Sequence, residues 1–130
     1  MCIRDRVKVI PVGGSYRLGK ILFIHGDQLK GGGAYPAKHA VDVYNEPVRL
    51  GHYHTYQVYT KNSPLDQSQV RNGIVVPGLC KRDPAYGGGA PNKWAQGFLY
   101  GYIHPDGTFN DYVSVIVNGR FSANGKTYKG

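Results

Sequence analysis

Acids, cysteines and long apolar runs are all scarce in this chain, and each shortage narrows what it can be. Asp and Glu number 8 against 16 Lys and Arg, which leaves a net charge of +8 over 130 residues. An excess of that size favours polyanionic partners such as nucleic acid. The cations are scattered, with only Lys81 and Arg82 adjacent, so a solvated basic surface accounts for them equally well. Two cysteines, Cys2 and Cys80, give neither a disulfide framework nor a Cys-x-x-Cys pair. A reducing compartment, and with it a cytoplasmic location, is therefore the default expectation. No apolar run approaches the roughly 20 residues of a membrane span, so no membrane partner is expected. Gly31-Gly32-Gly33 lacks a following Lys-Ser/Thr, and no GxGxxG occurs, so the known phosphate-cradling loops are missing and this one reads as a flexible loop.

What is present is turn chemistry. The chain holds 19 Gly, 8 Pro and 11 Tyr with little helical periodicity, the composition of a mainly β domain. Its length suits one domain able to bury a core. Val7 to Val12 is an apolar run ended by Gly13-Gly14, and Ile21 to Ile24 is a continuous apolar strand of the kind buried on both faces in layered α/β cores. Ala34 to Tyr44 is the one segment with helical spacing: Pro36 suits its first turn, Ala37, Ala40, Val41 and Tyr44 share a face, and Asn45 and Pro47 stop it. Short strands follow at Val48 to Leu50, Tyr56 to Thr60 and Ile74 to Val76, with a polar connection from Lys61 to Asn72. Residues 82–93 read as a long exposed loop that could contact substrate. The tail reads as hairpins, with His104-Pro105-Asp106-Gly107, Asn118-Gly119 and Asn124-Gly125 as turns. Its alternating tyrosines suit cross-strand packing better than base stacking.

Candidate chemistry lies in three of the five histidines. Ile24-His25-Gly26 ends one strand, and Leu50-Gly51-His52-Tyr53-His54 continues another. Side chains two apart on a strand share a face, so His52 and His54 are expected to project to one side and Tyr53 to the other. Two imidazoles with a third arriving from a neighbouring strand end make a plausible metal-ligand set, although a buried histidine bonded to a carbonyl is the commoner use of the residue. Gly26 and Gly51 clear space where the backbone turns or a ligand approaches. His39 falls off the helix's apolar stripe and His104 opens a turn, so neither joins the set.

The His-Gly followed by Gly-His-x-His resembles the last two metal-binding motifs of the calcineurin-like metallophosphoesterases. The family's earlier motifs, Asp-x-His, Gly-Asp-x-x-Asp and Gly-Asn-His-Asp/Glu, are not in the chain; Gly26-Asp27 begins like the second, but Lys30 stands where its acid should be. The resemblance therefore implies the C-terminal portion of a single domain over residues 7–130. That domain is a four-layer α/β/β/α sandwich when complete, and a β-rich α/β part with one main helix and several hairpins here. Met1-Cys2-Ile3-Arg4-Asp5-Arg6 has no periodicity and is similar to translated sequencing-adaptor read-through, so residues 1–6 are set aside as a non-native leader and a truncated gene is expected.

By resemblance, His25 and His52 would share one divalent ion and His54 would bind its neighbour. Manganese is the first expectation, with iron, zinc or nickel open. The bridging Asp, the remaining acid, the Asn, the upstream ligand His and the catalytic His would belong to the other half. The implied reaction is hydrolysis of a phosphomonoester or phosphodiester by a metal-bridged hydroxide, with a nuclease or nucleotide phosphodiesterase of phage or bacterial origin as first choice. The chain alone would then be inactive. Two other readings stand beside it. One is a non-enzymatic β-rich module, such as a phage structural protein that binds a polymer. The other is a mononuclear zinc hydrolase using His25, His52 and His54 together.

Overall fold

A computed structural model describes residues 8–31, 33–66, 68, 70–81 and 93–130. The leader at 1–6 and nearly all of the loop read at 82–93 lie outside the described residues. Ten elements follow in order: β1 (Ser15–Leu18), β2 (Ile21–Ile24), α1 (Pro36–Tyr44), β3 (Val48–Leu50), β4 (Gln57–Lys61), β5 (Arg71–Val75), β6 (Gln96–Ile103), β7 (Phe109–Ile116), β8 (Arg120–Ala123) and β9 (Lys126–Lys129). The chain is thus β-rich with a single helix among the described residues, as its composition implies. Among the described residues, no helix is long and apolar enough to cross a membrane.

Strands β1 to β5 form one mixed sheet in the order β1-β2-β3-β5-β4. Its centre, β2-β3-β5, is parallel, and both edges are antiparallel. Parallel neighbours need a crossover, and α1 supplies the one from β2 to β3. The helix starts with Pro36 in its first turn and ends on Asn45 in the left-handed conformation, whose amide donates to the Val41 carbonyl. Side chains alternate along each central strand. Leu22, Ile24, Val48, Leu50 and Val75 meet Ala37 and Ala40 in one buried cluster. Gly73 lets the helix ride directly on β5, because a Cβ there would stand 2.3 Å from the Ala37 carbonyl oxygen.

Ile21, Arg49 and Ile74 alternate to the opposite face and are also buried. Arg49, 1% exposed, forms a two-pronged ion pair with Asp111 on β7 through Nε and Nη2. Its Nη1 donates to the carbonyls of Val48 and Asn72, and its guanidinium lies 5.2 Å from the Phe109 ring centroid. The antiparallel β6–β7 hairpin is thereby fastened to the sheet face away from α1. Further ties run from the Lys20 amide to the Gly107 carbonyl and from the Gly97 amide to the Gly78 carbonyl.

Both Asn-Gly dipeptides turn as their sequence predicts. Asn118 and Gly119, and then Asn124 and Gly125, take positive φ in succession, the requirement of a two-residue turn matched to strand twist. The second of these joins β8 to β9. In the turn between β6 and β7 the Thr108 hydroxyl and amide both donate to Asp106, holding its carboxyl below the usual carboxylate range. Strand β1 was not anticipated, and the reason is physical: all four of its residues are exposed on a sheet edge, so Ser-Tyr-Arg-Leu carries no burial pattern.

Candidate metal centre

The parallel strands β2, β3 and β5 all end on one side of the sheet, and the histidine motifs begin where β2 and β3 stop. Open parallel sheets bind ligands at that location, beyond the carboxyl ends of the strands. His25 follows Ile24 directly, and Gly51-His52-Tyr53-His54 follows Leu50. The two loops are tied by the Gly51 amide donating to the His25 carbonyl at 2.9 Å. Gly26 makes that approach possible. It has φ +113°, and a Cβ on it would lie 3.1 Å from the Gly51 oxygen and 3.3 Å from His52 Cβ.

The extended geometry expected for His52 and His54 is corrected here. Strand β3 ends at Leu50, and both histidines adopt positive φ, 68° and 57°. The Tyr53 amide donates to the Gly51 carbonyl at 2.8 Å, closing a three-residue γ-turn around His52. A γ-turn with positive φ at its centre is the rare, strained form. For a residue with a Cβ, such backbone costs of order 1–3 kcal/mol and gathers at functional sites. Tyr53 packs its ring on the buried cluster and donates its hydroxyl to the Leu29 carbonyl, and its ring also meets that of His52 at 5.3 Å between centroids, so the two are not divided to opposite sides.

His25 and His52 are brought together. Their ring centroids are 5.2 Å apart at 70°, edge to face, and both side chains are open to solvent. An apolar recess of about 440 Å³ adjoins His25, lined by Tyr16, Phe23 and Asp27 among others.

His54 has different company. Its ring stacks on Trp94, with centroids 4.3 Å apart, and its Nδ1 lies 3.2 Å from Cys80 Sγ. The Ala95 amide donates to its carbonyl, so its loop is held at both ends of the residue. Gly78 lies beneath the ring, where a Cβ would come within 3.0 Å of Nδ1. Neither Cys80 nor Trp94 could be paired with His54 by reading the sequence, since 26 and 40 positions separate them and no local motif links them.

His39 Nε2 lies 2.9 Å from the Lys30 carbonyl, and His104 Nε2 bonds Asn110, so both serve the scaffold, as their positions suggested. Among the described residues, no three of His, Cys, Asp and Glu converge into a set able to hold a metal ion. The donor set on hand is a pair of imidazoles and a third apart, without a carboxylate. By itself it does not complete a two-ion cage.

Fold and site define a coarse class: a mixed α/β sheet with one crossover helix and a histidine-rich end beyond its parallel strands. Comparison with family models, with curated proteins and with solved structures returns no match.

Proposed function

We propose that this chain is the C-terminal part of a metal-dependent phosphoesterase. Its His25 and His52 would serve one divalent ion and its His54 a second, with manganese first and iron, zinc or nickel as alternatives. The complete domain would be a four-layer α/β/β/α sandwich, of which this chain would supply one helix layer and one of the two sheets. Two dications held about 3.5–4 Å apart supply a bridging hydroxide and clamp the attacking and leaving oxygens. The observation that carries the reading is the pairing of His25 with His52 across two strand ends, while His54 keeps separate partners. The motif resemblance gives His25 and His52 to one ion and His54 to its neighbour, which would put all three rings in one pocket; among the described residues only the first pairing is met. The separate partners of His54 weigh against a mononuclear three-histidine zinc centre, which needs all three rings around one point. Phosphoesters of nucleic acid or nucleotides are the substrate class that the charge of +8 favours.

The test is a zinc titration followed by the imidazole nitrogen signals of the five histidines. His25 and His52 should shift together and weakly, and His25→Ala should abolish the response of His52. One zinc bound tightly and stoichiometrically by all three rings would replace the proposal with the mononuclear centre. Unmoved signals at millimolar zinc would remove metal from the site. The reading frame upstream offers an independent check: it should encode Asp-x-His, Gly-Asp-x-x-Asp and Gly-Asn-His.

A further inference from the structure

The tail carries a continuous row of rings that the strand-end site does not use. Tyr112 contacts Tyr100 at 5.5 Å between centroids, Tyr100 contacts Phe98 at 6.1 Å, Phe98 contacts Phe121 at 5.2 Å, and Phe121 stacks on Tyr128 at 5.1 Å. Register explains the row. The pairs Phe98↔Ser114, Tyr100↔Tyr112 and Tyr102↔Asn110 put these side chains on the face of β6–β7 opposite Asp111, and the pair Phe121↔Tyr128 continues them onto β8–β9. The Ser114 hydroxyl donates to the Ser122 carbonyl, and the Tyr102 hydroxyl to Asn124, which fixes the second hairpin against the first.

Cross-strand packing accounts for the inner rings, as the sequence suggested, but not for the outer ones. Tyr102, Tyr112 and Tyr128 remain 55%, 49% and 46% exposed, so the row presents ring surface to solvent at its margins. The charge along the second hairpin has one sign. From Tyr112 to Gly130 the chain has Arg120, Lys126 and Lys129 and no Asp or Glu. Pairing with Ala123 puts Lys126 on the side of Phe121 and Tyr128, while Arg120 and Lys129 pair on the other side.

We propose that this aromatic ribbon surface binds single-stranded nucleic acid, with bases stacking on the exposed tyrosines, Lys126 meeting phosphate on the same face, and Arg120 and Lys129 adding attraction from the other face. Stacking platforms flanked by cations are the common means of holding single strands without sequence preference, since every base offers a ring face. Aromatic rows also hold neutral glycan chains. The concentration of cations, with no carboxylate among them, selects the polyanion. The proposal stands apart from the metal centre, because no histidine of that centre takes part.

The experiment is fluorescence anisotropy of a fluorescein-labelled oligothymidylate 15-mer with the whole chain, in EDTA so that metal plays no role. Saturable binding is expected, with a log–log salt slope between about −0.7, for Lys126 alone, and about −2 where Arg120 and Lys129 also reach phosphates. Tyr112→Ala and Tyr128→Ala should each weaken it at least about fivefold, Tyr128→Phe should keep it, and a Lys126→Glu, Lys129→Glu double variant should abolish it. Circular dichroism checks that each variant remains folded; the lysines are fully on the surface and leave the proposal testable if a tyrosine variant unfolds. Three outcomes overturn it: no saturable signal up to about 100 μM protein, the weak end of non-specific binding; binding that survives both tyrosine replacements and the lysine reversal; or a neutral glucan oligosaccharide bound more tightly through the same tyrosines.

Discussion

At the scale of the residue, the backbone at His52 separates function from stability. Its φ of 68° at the centre of a γ-turn is a conformation that glycine adopts without steric cost and histidine does not. A glycine there should therefore stabilise the chain by up to about 1 kcal/mol, the low end of the strain such positions store. Thermal unfolding of His52→Gly should thus give a midpoint equal to or above that of the unaltered chain, while the response of His25 to zinc disappears. A fall in the midpoint would mean that contacts of the ring with His25 and Tyr53 outweigh the strain. The three site histidines were legible as a motif because His-Gly and Gly-His-x-His are local patterns. Their conformation was not, since two left-handed histidines one residue apart follow from the Gly51 amide bond to His25 and the anchoring of His54 by Cys80, Trp94 and Ala95, contacts made only in the folded chain.

At the scale of the element, two contacts decide how the layers assemble. The first is α1 on β5. With Ala37 O only 2.3 Å from where a Gly73 Cβ would stand, Gly73→Ala must push the helix off the sheet or bend the strand. Overpacking of that kind costs about 1–3 kcal/mol; urea unfolding should show it as a lower midpoint at unchanged slope. The second is Arg49 with Asp111, which joins the sheet to β7. Removing one member of a buried pair leaves the other's charge without a partner, at a cost of about 3–5 kcal/mol, whereas replacing both with apolar residues is often near neutral. Asp111→Asn should accordingly destabilise far more than the double variant Arg49→Met, Asp111→Leu, as read by chemical denaturation. Equal losses would mean that the ion pair contributes no more than packing. The helix was readable from Pro36 and Asn45, and the Asn-Gly hairpins from their dipeptides, because those signals reside in a few adjacent residues. The role of Arg49 was hidden: an arginine inside a three-residue apolar strand reads as a flaw until its partner 62 positions on is known.

At the scale of the whole molecule, the balance of charge at the histidine end sets what the chain can do alone. Two dications about 3.75 Å apart repel by roughly 18 kcal/mol at an effective dielectric of about 20. Bridging carboxylate or hydroxide ordinarily offsets that repulsion, and neutral imidazoles bring no negative charge to it. The acids lying between the two motifs in sequence are otherwise occupied or exposed: Asp42 pairs with Lys38, Glu46 pairs with Arg17, and Asp27, two residues after His25, is exposed. The Lys38 hydrogen bond also holds the Asp42 carboxyl below its ordinary range, which ties that group to the helix surface. On the proposed reading the ions would be limited to single, loose occupancy, and bis(p-nitrophenyl) phosphate should be hydrolysed no faster than in buffer, whether manganese, iron, zinc or nickel is added. His52→Ala and His54→Ala should leave that background unchanged in this chain, yet abolish turnover in a polypeptide that also carries the acidic motifs. Metal-dependent hydrolysis by the 130-residue chain itself, lost on either replacement, would mean that the histidine end is a whole active centre rather than part of one, and the two-ion reading would give way to a single-ion hydrolase.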